Sequence, residues 1–316
     1  MKTTVEQTLQ KTKIMVVDGS MSTALEQLGC NFADSLWTAR ALAESPELVK
    51  QVHLDYFRAG ADSGITCSYQ ATIPGLMANG FTQAEAEELI VRSVELFVQA
   101  RDEWWNAEGR AAGRAYPLCL AGIGPYGAYL ADGSEYRGTY RVSDDTLRDF
   151  HRRRAQLLWD AGADILLFET QPALNEALIE AQIAEEMNAD YWISFSCRDG
   201  AHINEGKKIR DCAGELSRGY PHLKMIGVNC TPPRFVESLI GEIKAGCGLP
   251  VAVYPNSGET YDAVTKTWHG EIEGVSYGDL ALLWMQAGAS AVGGCCRTVA
   301  KHIAEVDEAR KKYLSE

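Results

Sequence analysis

The sequence predicts a single-domain α/β protein, a (β/α)8 barrel of the TIM type. Three observations predict it. Eight short apolar, β-rich runs are spread along 316 residues. Helical patterns fill most of the intervals between them. One helix–glycine–strand junction recurs three times. Apolar strands alternating with helices read as parallel strands covered on both faces. Right-handed crossovers allow eight such units to close on themselves. The main alternative is an open doubly wound sheet. Length alone would permit two domains, but α/β barrels of roughly 250 residues fold as one unit. The expected domain spans 1–316, with its core at about 12–312.

The runs, in order, are Ile14–Val17, Ser63–Ser68, Leu118–Gly122, Asp164–Phe168, Trp192–Ser196, Met225–Val228, Val251–Tyr254 and Ala291–Gly294. The helix before the second run is well punctuated. Ser45 can cap it, Pro46 sits at its first position and Glu47 suits its positive end. Leu48, Val52, Tyr56 and Ala59 make an apolar stripe, and Gly60 stands where a C-cap glycine belongs. The ending Ala59-Gly60-Ala61-Asp62 returns as Ala161-Gly162-Ala163-Asp164 and Ala287-Gly288-Ala289-Ser290. Two long connections remain. Residues 72–117 hold a helix with Ile90, Val94, Phe97 and Arg101 on one face, and loop signals at Pro74-Gly75 and Asn79-Gly80. Residues 257–280 are a candidate lid or an ordinary surface excursion.

Composition narrows the partners. Thirty basic residues against 43 acidic give a net charge of −13. A nucleic-acid or anionic-membrane partner needs a basic face, so neither is expected. The start, Met1 to Lys13, is polar, without an apolar signal region, and no run is long enough to span a bilayer. The expected location is cytoplasmic. Nine cysteines without a secretion signal read as reduced thiols. Oligomeric state stays open between monomer and small homo-oligomer.

A barrel gathers its strand C-termini at one mouth, where barrel enzymes keep their sites. The residues there are Asp18-Gly19-Ser20, Ser68-Tyr69-Gln70, Gly124-Pro125-Tyr126, Glu169-Thr170, Cys197, Asn229-Cys230, Pro255-Asn256 and Cys295-Cys296. Cys230 and Cys295-Cys296 bring three thiols together. They could hold zinc with one coordination position left open, or be two buried thiols and a redox pair. Adjacent cysteines on a strand face opposite ways, so joint ligation needs a bend, for which Gly293-Gly294 offers freedom. Glu169 ends an apolar run and needs a partner, a substrate ammonium or a structural cation. Asp18-Gly19 could place backbone N–H groups before a substrate carboxylate, or simply form a turn. His53 and His151 read as structural or solvated; His269 lies in the possible lid. Cys30, Cys67, Cys119, Cys212 and Cys247 read as packing residues. There is no nucleophile elbow, P-loop or dinucleotide fingerprint.

Several segments together resemble the homocysteine S-methyltransferase family, in the bacterial branch that uses S-methylmethionine. They are Asp18–Thr23, Ala33–Trp37, Ser68–Thr72, Gly124–Gly138, Glu169-Thr170, Val228–Cys230, Tyr254–Glu259 and Gly293–Thr298. The resemblance implies a (β/α)8 barrel with Zn2+ on Cys230, Cys295 and Cys296, and homocysteine sulfur in the open position. It implies that Glu169 contacts the homocysteine ammonium and that Asp18, Gly19 and Ser20 lie beside the amino acid, with Tyr69, Gln70 and Asn256 in the substrate site. The donor is expected to be a sulfonium, with Tyr126 and Trp37 facing it by cation–π attraction and Arg137 pairing its carboxylate; core packing or surface pairing is the alternative for each. S-adenosylmethionine is a further possible donor. The chain ends 20 residues after Cys296, unlike betaine-using relatives with a C-terminal extension and cobalamin-using relatives with extra domains. Alternatives are a betaine or other thiol methyltransferase, a non-catalytic zinc-thiolate sensor, and a zinc hydrolase, which would favour His or Asp ligands.

Overall fold

The structure is a computed structural model. It describes residues 3–30, 36, 38–258, 260–262, 267–269 and 275–316, with the backbone alone for 260–262 and 267–269. Eight parallel strands make one sheet: β1 Met15–Val16, β2 Ser63–Ile65, β3 Leu118–Ile123, β4 Ile165–Gln171, β5 Tyr191–Phe195, β6 Leu223–Asn229, β7 Val251–Tyr254 and β8 Ala291–Val292. β2 to β7 pair in sequence order, β8 follows β7, and β1 follows β8. A parallel bridge from Val17 to Ser63 joins β1 back to β2 and closes the barrel. An open doubly wound sheet is therefore excluded. Pairing is thin at this closure, and Asp62 reinforces it. Its backbone N–H donates to Val16 O at 2.8 Å, and its Oδ2 accepts the Val16 N–H at 2.9 Å. Arg310 and Arg114 supply the countercharge.

Strand side chains divide by parity. Met15, Val17, Leu118, Leu120, Ile165, Leu167, Trp192 and Met225 fill the barrel interior. Cys119, Ala121, Leu166 and Phe168 face the helix layer. The polar N-terminal stretch holds an element that its composition did not announce, a helix at Val5–Thr12 with a Thr4/Gln7 capping box. Its Val5 and Leu9 pack against the residues that open the strands, closing that end of the barrel.

The repeated junction is a real repeat. Gly60, Gly162 and Gly288 have φ of 116°, 102° and 106°, and the alanine after each is buried and donates back into the helix end. A fourth copy escaped notice because Asn188, at φ 50°, replaces the glycine; asparagine tolerates the left-handed region. The helix Pro46–Ala59 forms as expected, but the Ser45 side chain makes no capping bond. Ser45 also ends the preceding helix, Ala39–Glu44, where its own N–H donates to Ala41 O. The buried stripe is Val49, Val52, His53, Tyr56 and Phe57, rotated from the expected one. Pro74-Gly75 opens a short helix, Ile73–Ala78, capped by Thr72, where a proline in the first turn loses no bond. Gln83–Trp104 is the long helix expected from Ile90, Val94, Phe97 and Arg101, all buried. Between β7 and β8, Thr260–Asp262 pairs antiparallel with Thr267–His269. Among the described residues no helix is long and apolar enough to cross a membrane.

Candidate active site and metal centre

The strand C-termini open into one cavity. Its wall includes Gly19, Ser20, Tyr69, Gln70, Glu135, Tyr136, Glu169, Thr170, Tyr254 and the three cysteines 230, 295 and 296. Each thiol arrives by a distinct backbone device. Cys230 follows β6 directly and takes a left-handed φ of 45°. β8 ends at Val292, so strand alternation does not govern Cys295 and Cys296. They open a tight turn in which Thr298 N–H and Oγ1 both donate to Cys295 O, at 3.1 and 2.7 Å. Arg297 makes that turn at φ 66°. Gly293 and Gly294 contribute lack of bulk rather than unusual dihedrals. A Cβ on Gly293 would lie 2.6 Å from Val17 O, and one on Gly294 would lie 2.3 Å from Thr298 Oγ1.

The sulfurs converge. Cys230 Sγ lies 2.7 Å from Cys295 Sγ and 3.6 Å from Cys296 Sγ, and Cys295 and Cys296 are 4.0 Å apart. A tetrahedral zinc with bonds near 2.3 Å separates its sulfurs by roughly 3.8 Å. Two of the three separations fit that edge; the Cys230–Cys295 pair must open to admit the ion. Three soft sulfur donors suit zinc better than a hard cation. The Cys295 thiol is held well below its ordinary range by its sulfur neighbours, while that of Cys230 is held above.

Two carboxyls lie close by. Glu169 sits in an irregularity between β4 and β5, where the register shifts between Phe168 and Gln171. Such a bulge re-aims a side chain, and here it turns Glu169 into the cavity while Thr170 takes φ 61°. Burial pushes the Glu169 carboxyl well above the usual range, and Cys295 and Asp18 add to that. Its Oε2 accepts from Asn229 Nδ2 at 3.4 Å. Asp18 is buried off the cavity wall. Its Oδ2 accepts the Ile65 N–H at 2.9 Å, and its Oδ1 has no hydrogen-bond partner. Burial likewise raises its pKa.

Other sequence-predicted residues fall on both sides of the wall. Tyr69 and Gln70 line the cavity from the turn after β2, and Gln70 Nε2 donates to Ala128 O at 3.2 Å. Ser20 lines it too, but its hydroxyl caps the helix Met21–Gln27 and its N–H donates to Thr298 O. Gly19 permits close packing of Tyr56, whose hydroxyl would lie 2.8 Å from a Cβ there. Tyr126 is not on the wall: its ring packs among Tyr129, Tyr140 and Phe150, an apolar group outside the barrel. Arg137 is also outside. Its side chain is 61% exposed and pairs with Asp132, where its charge keeps its water. Asn256 is buried behind the cysteine turn, with its N–H on Thr231 O and Oδ1 unpartnered. Trp37, Glu259, the His269 side chain and most of the candidate lid lie outside the described residues. Cys67, read as packing, lines the cavity; burial pushes its thiol up to about 12, so it stays protonated. Cys197 is buried and carries no cavity role. Glu135, Tyr136 and Tyr254 had a signal only in the segments that carry the resemblance, and Thr170 and Asn229 also as strand-end neighbours of Glu169 and Cys230.

A sequence profile described as homocysteine S-methyltransferase matches residues 15–310. The chain belongs to the homocysteine S-methyltransferase family. Homocysteine S-methyltransferase YbgG of Bacillus subtilis is 50% identical over 294 residues, covering 93% of each chain. The homocysteine S-methyltransferase of Escherichia coli is 48% identical over 300 residues, covering 94% of this chain and 95% of that one. The solved homocysteine methyltransferase MmuM from Escherichia coli, in a metallated form, superposes with a TM-score of 0.84 at 42% identity, covering 95% of this chain and 97% of that one. The methyltransferase therefore shares its fold with an enzyme that has been solved carrying a metal.

Proposed function

We propose that the protein moves a methyl group from S-methylmethionine to homocysteine, giving methionine, with zinc held by Cys230, Cys295 and Cys296. The observation that carries this reading is the convergence of three thiols beside a buried, cavity-facing glutamate. When bound, zinc supplies a homocysteine sulfur that is deprotonated and nucleophilic at neutral pH, where a free thiol of pKa about 8.5 is mostly protonated. The protein's residues do the rest. Glu169 holds the homocysteine ammonium, and Asp18 lies behind the wall with its Oδ1 free to accept a hydrogen bond. Gly19 and Ser20 border the amino acid. Tyr69 and Tyr136 present aromatic faces to the sulfonium.

Attack is an in-line displacement. A bond forms between the homocysteine sulfur and the methyl carbon, and the bond from that carbon to the sulfonium sulfur breaks. The electron pair leaves with the sulfonium sulfur as a neutral thioether. No general base is required, because the proton is lost when the thiol binds. Holding sulfur and methyl near contact supplies much of the rate. All nine cysteines are free thiols, in keeping with a reducing cytoplasmic setting.

The test pairs a donor assay with metal analysis. Homocysteine is offered with S-methylmethionine, S-adenosylmethionine or betaine, and methionine and zinc are quantified. The proposal expects fastest turnover with S-methylmethionine, and loss of both zinc and activity in Cys230→Ala. Faster turnover with another donor overturns the donor assignment. Stoichiometric zinc without methionine from any donor moves the reading to a non-catalytic zinc-thiolate protein.

A further inference from the structure

Among the described residues the cavity wall carries two carboxylates, Glu169 and Glu135, and no lysine, arginine or histidine. Glu169 has a proposed occupant; Glu135 has none. It lies in the single helical turn Ser134–Tyr136, and its backbone is fixed. Ser196 Oγ donates to Glu135 O at 3.3 Å. Gly127 packs so closely that a Cβ there would lie 2.6 Å from Glu135 N. The Glu135 carboxylate Oε2 is nevertheless buried without a hydrogen-bond partner. The cation in the same segment, Arg137, is spent on Asp132 at 3.5 Å.

A buried carboxylate oxygen without a partner is costly, so this half-buried side chain suits a cation that arrives with a ligand. The two carboxylates reach the cavity from different elements, Glu169 from the bulge in β4 and Glu135 from the turn Ser134–Tyr136. Burial raises the pKa of both; Cys295 and Asp18 raise that of Glu169 further, whereas Asp132 raises and Arg137 lowers that of Glu135. Two amino-acid substrates bring two ammonium groups. Resting on the donor reading above, we propose that Glu135 binds the α-ammonium of the methyl donor. It thereby selects sulfonium amino acids over methyl donors that lack an amino group. Since no cation among the described residues lines the cavity, a donor carboxylate is left to neutral donors and the ammonium becomes the charged handle.

The test is calorimetric and needs no turnover. Zinc-loaded wild type and Glu135→Gln are titrated with S-methylmethionine and with 4-(dimethylsulfonio)butanoate, which keeps the sulfonium and carboxylate but lacks the ammonium. A charge-assisted hydrogen bond corresponds to about 10- to 100-fold in affinity. The variant should lose that factor for S-methylmethionine only, with the Kd for the butanoate and for homocysteine unchanged. Equal weakening of both sulfonium ligands overturns the ammonium assignment, as does unchanged S-methylmethionine binding or a shift confined to homocysteine. Turnover of S-methylmethionine by the wild type is scored separately. Its absence sinks the donor reaction, whereas the binding ratios decide Glu135.

Discussion

Asn229 holds Thr170 by both ends of its side-chain amide. Its Oδ1 accepts the Thr170 N–H at 2.7 Å, and its Nδ2 donates to Thr170 Oγ1 at 2.8 Å. Thr170 and Cys230 both have positive φ, uncommon for any residue but glycine and most so for a β-branched one such as Thr170. Each such residue costs about 1–3 kcal/mol unless its surroundings fix it. Asn229 therefore ties the bulge that aims Glu169 to the residue that carries the first thiol.

Replacing Asn229 with Ala should cost about 1–3 kcal/mol of stability, because the Thr170 N–H is left buried and unpaired. Zinc retention should weaken too, since Cys230 loses its neighbour's anchor. Urea unfolding and metal content measure the two effects. Unchanged values in both would show that the amide clamp is not needed.

Glu169→Gln should raise the homocysteine KM by about 10- to 100-fold with little change in the donor KM. Steady-state kinetics with each substrate varied in turn would separate the two. A change confined to the donor would reverse the assignment of the two carboxylates.

Gly294→Ala should strip zinc affinity without unfolding the barrel. The new Cβ would lie 2.3 Å from Thr298 Oγ1, so the turn that orients Cys295 and Cys296 must move. Zinc-to-protein ratio and far-UV circular dichroism test this, and full zinc loading would contradict it.

His53 predicts part of the acid sensitivity. It is buried against Phe57 and Phe97 with both ring nitrogens unpartnered. Burial lowers its pKa from 6.5 to about 3. Between those values the unfolded chain takes up a proton that the folded chain refuses. Stability is therefore full above the higher value and is lost as pH falls toward the lower. The loss is at most about 1.4 kcal/mol per pH unit. His53→Leu should show a smaller drop in Tm between pH 7 and pH 4.5 than the wild type. Equal drops would assign the acid limb to other groups.

Removing zinc with a chelator should abolish methionine formation and leave far-UV circular dichroism unchanged. The three ligands follow strand ends, whereas the core of Leu118, Leu167, Trp192 and Met225 is independent of them. Readdition of zinc should restore turnover; a chelated protein that loses its secondary structure would make the metal structural.

Much of this was legible in sequence because it is local. Apolar strands announce themselves in runs such as Val251–Tyr254, and a glycine stop such as Gly288 marks a helix end whatever lies around it. Eight repeats of one unit leave few ways to close. Thiols placed after the sixth and eighth strands must then meet at one mouth, and the segments holding Cys230, Cys295 and Cys296 pointed to the family. Aim was not legible. Tyr126 and Arg137 stand in one quoted segment with Glu135 and Tyr136, yet the first pair faces outward and the second lines the cavity. The turn at Ser134–Tyr136 decides that; it packs on Gly127 of the same segment and is held by Ser196, which the chain brings from the end of β5. The bulge at Glu169 likewise depends on a partner distant in sequence, Asn229, which holds Thr170. The sequence by itself determined the elements, their order and the chemistry of the groups at the mouth, since each follows from neighbours along the chain. Only the tertiary structure decided which of those groups share one cavity, because side-chain direction is set by contacts between strands.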